Sequence, residues 1–160
     1  MTTPLVLRAN AELVTAAYVR TIVAAFSTAV GAVLQGPDDQ GVVQWGPTGF
    51  VQFTTISDPI NLTVPLRHSV VSLDIWAANT GSSKKPPWNL AYSIAETIIE
   101  AQFDREWGDN HAVVSLPAGY PDARVTEFSI ANGPKRTPSD QSDFAHLTME
   151  CGISWHGLSA

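Results

Sequence analysis

The chain has 160 residues and 17.2 kDa, the size of one ordinary domain, and 44% of it is hydrophobic, enough for a real core. Its net charge of -6 and pI near 5.0 argue against a protein that holds nucleic acid, because phosphate binding needs a surplus of Lys and Arg. Only 15% of residues are charged, against roughly 25% in an average soluble chain, so much of the surface is neutral or covered by a partner.

In chain order, residues 1–4 carry no basic run ahead of an apolar one, so no signal peptide is expected. Asn10 is placed to cap a helix, with Glu12 in its first turn. Leu13, Val14, Ala17, Tyr18 and Thr21 then recur at helical spacing, which predicts a first helix over 10–22. Its end is open, because 22–30 can continue it. The apolar stretch 21–34 is too short for a membrane span and contains Ser27, Thr28 and Gly31. Residues 30–34 read as a short strand before the turn at Gly36-Pro37-Asp38-Asp39.

Residues 49–56 are aromatic and β-branched and predict a strand, closed by Asp58-Pro59. A short strand over 61–64 would lie at an edge, given Pro65. The clearest strand is 70–77, with Val71, Leu73, Ile75 and Ala77 on one side and Val70, Ser72, Asp74 and Trp76 on the other. A polar loop over 79–85 leads to Pro86-Pro87, which opens a second helix over about 87–104. Ala91, Ile94, Ala95, Ile98 and Ala101 are its buried stripe, and Asn89, Ser93, Glu96 and Glu100 its wet face.

A brief strand over 111–116, a turn at 117–121 and a strand over 124–131 follow. Residues 132–143 read as a twelve-residue loop with Pro134 and Pro138, far longer than a hairpin needs, and such loops tend to be functional. The last strand, 144–155, alternates cleanly. Ala145, Leu147, Met149, Cys151, Ile153 and Trp155 share one side; Phe144, His146, Thr148, Glu150 and Ser154 share the other. The whole reads as a single α+β domain of two layers, a largely antiparallel sheet with two main helices on one face.

Catalytic motifs are missing from the sequence. It has no Gly-x-Ser-x-Gly, no His-Glu-x-x-His and no Gly-x-Gly-x-x-Gly. Gly81-Ser82-Ser83-Lys84-Lys85 lacks the upstream glycine of a phosphate loop and reads as a loop before a helix. His146 and Glu150, four residues apart on one strand, stand about 13 Å apart, too far to share one ion. No metal, cofactor or catalytic residue is therefore expected. Cys151, the single cysteine, forms no internal disulfide and reads as a buried small hydrophobe in a protein made in a reducing compartment. Asp74 in mid-strand is unusual and reads as part of a polar sheet face or a subunit contact rather than as a general base. The basic pairs Lys84-Lys85 and Lys135-Arg136 each lie in a predicted loop, where they read as solvated charge or as contacts with an acidic neighbour.

Several segments together carry a resemblance. They are Val71-Ser72-Leu73-Asp74-Ile75-Trp76-Ala77, the helix start Lys85-Pro86-Pro87-Trp88 and the run Ala95-Glu96-Thr97-Ile98. Further along come Leu116-Pro117-Ala118-Gly119-Tyr120-Pro121 and Arg136-x-Pro138-x-Asp140 before a final strand containing Trp155. Asn10-Ala11-Glu12-Leu13-Val14 also fits. In that order they resemble the tail terminator proteins of long-tailed bacteriophages, especially those of actinobacterial hosts, with the weakest fit over 22–49.

The resemblance implies a structural virion protein at the head-proximal end of the tail, assembled in the host cytoplasm. It implies a hexameric ring of copies of the chain that caps the tail tube, stops its polymerisation and offers a surface to the head-side connector. DNA would pass through the ring without specific binding; six copies carry roughly -36 charge, which would not trap it. The partners implied are the chain itself, the tube protein and the connector or stopper, with no membrane. Interface residues expected from this reading and from the residues themselves are Asp74, Trp76, Lys84, Lys85, Trp88, Lys135, Arg136, Asp140 and Asp143. A head–tail stopper or another minor tail protein is the neighbouring alternative; a monomeric ligand-binding or enzymatic α+β domain is the distant one.

Overall fold

The computed structural model describes residues 9–60, 63, 65–80, 85–103, 113–137 and 143–158. The first helix, α1 (Ala11–Ile22), begins where the Asn10 side chain accepts the Leu13 amide at 2.9 Å. It does not run on. A single 3-10 turn at Ala24–Phe26 follows, and Ser27 takes a left-handed conformation (φ 55°) that reverses the chain. Strand β1 is then only Ala29–Gly31, earlier and shorter than the sequence pattern placed it.

β2 (Phe50–Ser57) and β3 (Arg67–Ala78) pair antiparallel, and β3 extends three residues beyond its predicted start. α2 (Trp88–Ala101) follows, then β4 (Val113–Val114), β5 (Ala123–Arg136) and β6 (Phe144–Gly157). Among the described residues these form one six-stranded sheet in the order β1-β2-β3-β6-β5-β4, antiparallel except for β1 against β2. The fold is α+β, as its period-2 strands and two amphipathic helices require. The short strand expected over 61–64 and the start of the strand expected at 111 lie outside the described residues, as does Asp104, the expected end of α2.

The helices cover one face. Val71, Leu73, Ile75 and Ala77 of β3, with Ala145, Leu147, Met149, Cys151 and Ile153 of β6, are buried there against Val14 and Val19 of α1 and Ile94, Ala95 and Ile98 of α2. Tyr18 of α1 meets Phe128 of β5 ring to ring at 5.0 Å. Gly49 admits the second helix to this packing: it sits at φ 83°, and a Cβ there would lie 2.5 Å from Ile94 Cδ1.

The largest departure from expectation is the segment 132–143. Its first five residues are strand: Asn132 pairs with Glu150, Lys135 with Thr148 and Arg136 with Leu147. The Gly133 and Pro134 breakers are absorbed by irregularities in register between Ile130 and Lys135 instead of ending the strand. Of the expected loop, 138–142, including Asp140, lies outside the described residues.

Candidate functional site

Neither helix covers the second face of the sheet. Alternate residues of β3 and β6 emerge on it, and at its centre they form a bonded network. His146 stands directly opposite Trp76 and diagonal to Asp74. Its imidazole stacks on the indole of Trp76 at 3.6 Å between centroids and 10° between planes. His146 Nε2 lies 2.7 Å from Asp74 Oδ1, and the Thr148 hydroxyl donates to the same oxygen at 2.9 Å. Since Thr148 spends its proton there, Thr137 Oγ1, 2.8 Å away, donates to Thr148. Burial works against ionising Asp74, but the bonds from His146 and Thr148 and the attraction of the imidazole outweigh it, and the carboxyl is held below its ordinary value. Asp74 is thus an acceptor in a closed network, the polar sheet-face reading of this residue.

Next to this network lies a second, smaller cluster that the sequence reading missed. The connection between β1 and β2 folds back over the end of the open face. Trp45, only 4% exposed, packs on Phe50 at 5.8 Å and Phe144 at 6.0 Å, with Trp76 alongside. Three bonds hold this flap in place. Trp45 Nε1 donates to the Gln35 carbonyl at 2.7 Å, the Ala78 amide donates to the Gly46 carbonyl at 3.1 Å, and Thr28 Oγ1 donates to the Thr48 carbonyl at 2.9 Å. Gly46 passes so close to β3 that a Cβ there would lie 2.8 Å from the Ala78 oxygen. Asp38 braces the tip, accepting from the amides of Val42 and Gln40 and from the Gln44 side chain; these bonds hold its carboxyl below the ordinary value. The signal available in sequence was Trp45 itself, an indole with Val42 and Val43 close before it in a run rich in Gly, Pro and Asp.

Between flap and sheet is a cleft of about 900 Å³. Leu34, Pro37, Val42 and Val43 line it from the flap, and Trp76, Ala78 and Phe144 from the strands, together with Asn79, Thr80 and Asp143.

The expected interface residues fall into three groups. Asp74 and Trp76 join the central network, and Asp143 borders the cleft. Trp88 and Arg136 meet at one corner, where the Arg136 guanidinium lies 4.3 Å above the Trp88 ring and 5.8 Å from that of Tyr92, and Lys85 is exposed three residues before Trp88. Lys135 projects on the other face of β5, opposite Thr148. Lys84 and Asp140 lie outside the described residues.

At the far end of the open face, Ser154 is 4% exposed and bonds His68 Nδ1 at 2.8 Å and Glu127 Oε2 at 3.4 Å. The serine stands between imidazole and carboxylate. In a nucleophilic triad the imidazole would be in the middle, so these three residues do not activate the hydroxyl. Cys151 is buried on the helix side, and burial pushes its thiol up to about 12, far from a reactive thiolate. Glu150 accepts from the Asn132 amide and His146 binds Asp74, so the two do not meet. Among the described residues no three His, Cys, Asp or Glu side chains come together, and no described helix is long and apolar enough to cross a membrane.

No family model matches the chain, and no curated protein matches it. Among solved structures it is similar to a chain described as "Virion of native gene transfer agent (GTA) particle", at 13% identity and a TM-score of 0.48, over 91% of this chain and 96% of that one. At those values the two share a loose likeness of shape and no more.

Proposed function

We propose that this chain is a structural virion protein, the tail terminator of a long-tailed bacteriophage, which assembles as a ring of six that caps the tail tube and receives the head-side connector. The observation that carries the reading is where the resembling segments fall. Val71 to Ala77 form the central strand β3. Lys85-Pro86-Pro87-Trp88 starts α2, and Ala95 and Ile98 of the third segment lie on its buried stripe. Arg136, from a fourth segment far along the chain, stacks on Trp88. Motifs that carry the resemblance are thus structural positions in one sheet–helix unit, and two of them touch.

The physical features agree. Low surface charge and an uncovered, half-buried sheet face suit a subunit whose surface is shared with neighbours. The polar clusters on that face spend their protons on one another, which favours a scaffold over an enzyme. On this reading the chain acts without catalysis, metal or cofactor. A head–tail stopper is the second reading, because its subunit would also be small and ring-forming.

The experiment is to produce phage particles lacking this protein and measure their tails. Overlong tails are the expected result and identify the terminator. Tails of normal length detached from filled heads would make it a stopper, and normal infectious particles would remove both readings.

A further inference from the structure

One cross-strand bond of the β5–β6 hairpin is made by a chemically reactive pair of neighbours. Asn132 donates from its side-chain amide to Glu150, its register partner on β6. Gly133 follows it, and both residues are exposed. The other asparagines, at 10, 61, 79, 89 and 110, are each followed by a residue with a side chain: Ala11, Leu62, Thr80, Leu90 and His111. The ladder slips on either side of Asn132. Ala131 before it, and Gly133 and Pro134 after it, have no register partner on β6. A Cβ on Gly133 would meet nothing within 4 Å. This glycine therefore has neither a register partner nor a neighbour packed at its α-carbon, and it keeps the backbone freedom of its type.

We propose that Asn132-Gly133 is a site of spontaneous self-modification, where the asparagine becomes a mixture of aspartate and isoaspartate and the hairpin beyond it loosens. The Gly133 amide nitrogen, having given its proton to solvent base, bonds to Asn132 Cγ. The bond from Cγ to Nδ2 breaks, and that nitrogen takes a proton from solvent and leaves as ammonia. The product is a cyclic imide. Water then adds across one or the other imide C–N bond. One opening gives aspartate; the other gives isoaspartate, which carries an extra methylene in the main chain. Where an amide donated to a carboxylate, two carboxylates now stand opposite each other across the strands, and like charges so placed destabilise a sheet. The next pairs are Lys135 with Thr148 and Arg136 with Leu147, and Thr148 donates to Asp74. The loosening thus reaches the central network from its β5 side. Nothing in this inference depends on the ring reading.

The test is a timed incubation of the folded full chain at mildly alkaline pH, followed by peptide mapping with mass spectrometry. Asn132 is expected to show the mass change from amide to carboxyl, with an isoaspartyl fraction, before any other asparagine changes. Gly133→Ala, which has room for its Cβ, is expected to slow conversion at least about tenfold, because a side chain there crowds the attacking nitrogen and restricts the backbone. Glu150→Ala is expected to hasten conversion up to about tenfold, the scale of one hydrogen bond to a charged group. Asn132 that survives in folded chain while urea-unfolded chain converts overturns the proposal, because the strand then protects it. A rate unchanged by Gly133→Ala overturns it too, and a rate unmoved by Glu150→Ala overturns the restraint given to that bond. Asn132→Asp reproduces the aspartyl product. It is expected to cost the amides of 135–137 and 144–148 protection from hydrogen exchange, and added Glu150→Gln is expected to restore it. Full protection in Asn132→Asp overturns the loosening. A loss that Glu150→Gln does not restore overturns its origin in facing carboxylates.

Discussion

The two faces of the sheet come from the same strands, residue by residue, yet they are stabilised by different physics. On the helix side, β3 and β6 present Leu73, Ile75, Leu147 and Met149, all buried, against Ile94 and Ile98. On the other side, the intervening residues are Asp74, Trp76, His146 and Thr148, which bond and stack among themselves. Apolar burial is non-directional and tolerates small shifts; a bonded network fixes the positions of its members. The helix face therefore supplies most of the stability, and the bonds on the open face hold its residues in defined positions. The contrast can be broken by changing one face at a time.

The largest effect is expected on the helix face. Ile98→Asp places a charge among fully buried side chains with no cation to pair it, which costs several kcal/mol and should unfold the domain. Circular dichroism of the purified variant checks this; a cooperative melt near the wild-type temperature would mean that α2 does not bury that stripe. On the other side, Trp45→Ala is expected to cost about 3–5 kcal/mol, the usual range for truncating a buried aromatic. Its signature should differ: amides of the flap and of β1 lose protection from hydrogen exchange while those of β3 and β6 keep theirs. Equal loss throughout the sheet would mean that the small cluster and the main core form one unit.

That contrast also accounts for what the sequence disclosed. The helix face was legible because burial writes a period into the chain: the stripe through Ala91, Ile94 and Ile98 and the alternation through β6 need no knowledge of neighbours. The open face was legible only as composition. Asp74 stands out as an odd residue in a strand and Trp76 shares its side, but their partners, His146 and Thr148, lie on β6, and only strand pairing brings them together. β1 was misplaced because Ser27 ends the helical turn by a left-handed reversal that favours glycine or asparagine. The tip of the β5–β6 hairpin was read as loop because Gly133 and Pro134 signal a turn locally, whereas pairing with β6 carries the strand through them. Trp45 was passed over because nothing in its own segment shows that a flap returns to the sheet.

A smaller effect separates the network by pH. Asp74 is held below its ordinary value of 3.8 in the folded chain, so it contributes stability that is present above that value and is lost as pH falls through the lower, folded one. Asp74→Asn should therefore destabilise by about 1.5–3 kcal/mol at pH 7, the scale of hydrogen bonds to a charged group. The gap between variant and wild type should close as pH drops below 3.8. Urea midpoints measured from pH 7 to pH 2.5 check this; a gap that stays constant would mean that Asp74 contributes no titrating charge to the network.

The smallest expected effect lies where Arg136, at the end of β5, meets the start of α2. Arg136 is exposed, so its charge is screened, and its stacking on Trp88 is worth about 0.5–1 kcal/mol. Arg136→Ala should lower the melting temperature by only a few degrees in a chain of this length. Arg136→Lys keeps the charge but loses the planar stacking surface, so it should recover only part of that. The coupling is isolated by a cycle with Trp88→Leu, which keeps an apolar side chain at the start of the helix. If the stacking is real, the loss from Arg136→Ala largely disappears in the Trp88→Leu background. If it is the same in both backgrounds, the guanidinium acts on the helix start by charge alone, and the contact between these two segments contributes nothing to stability.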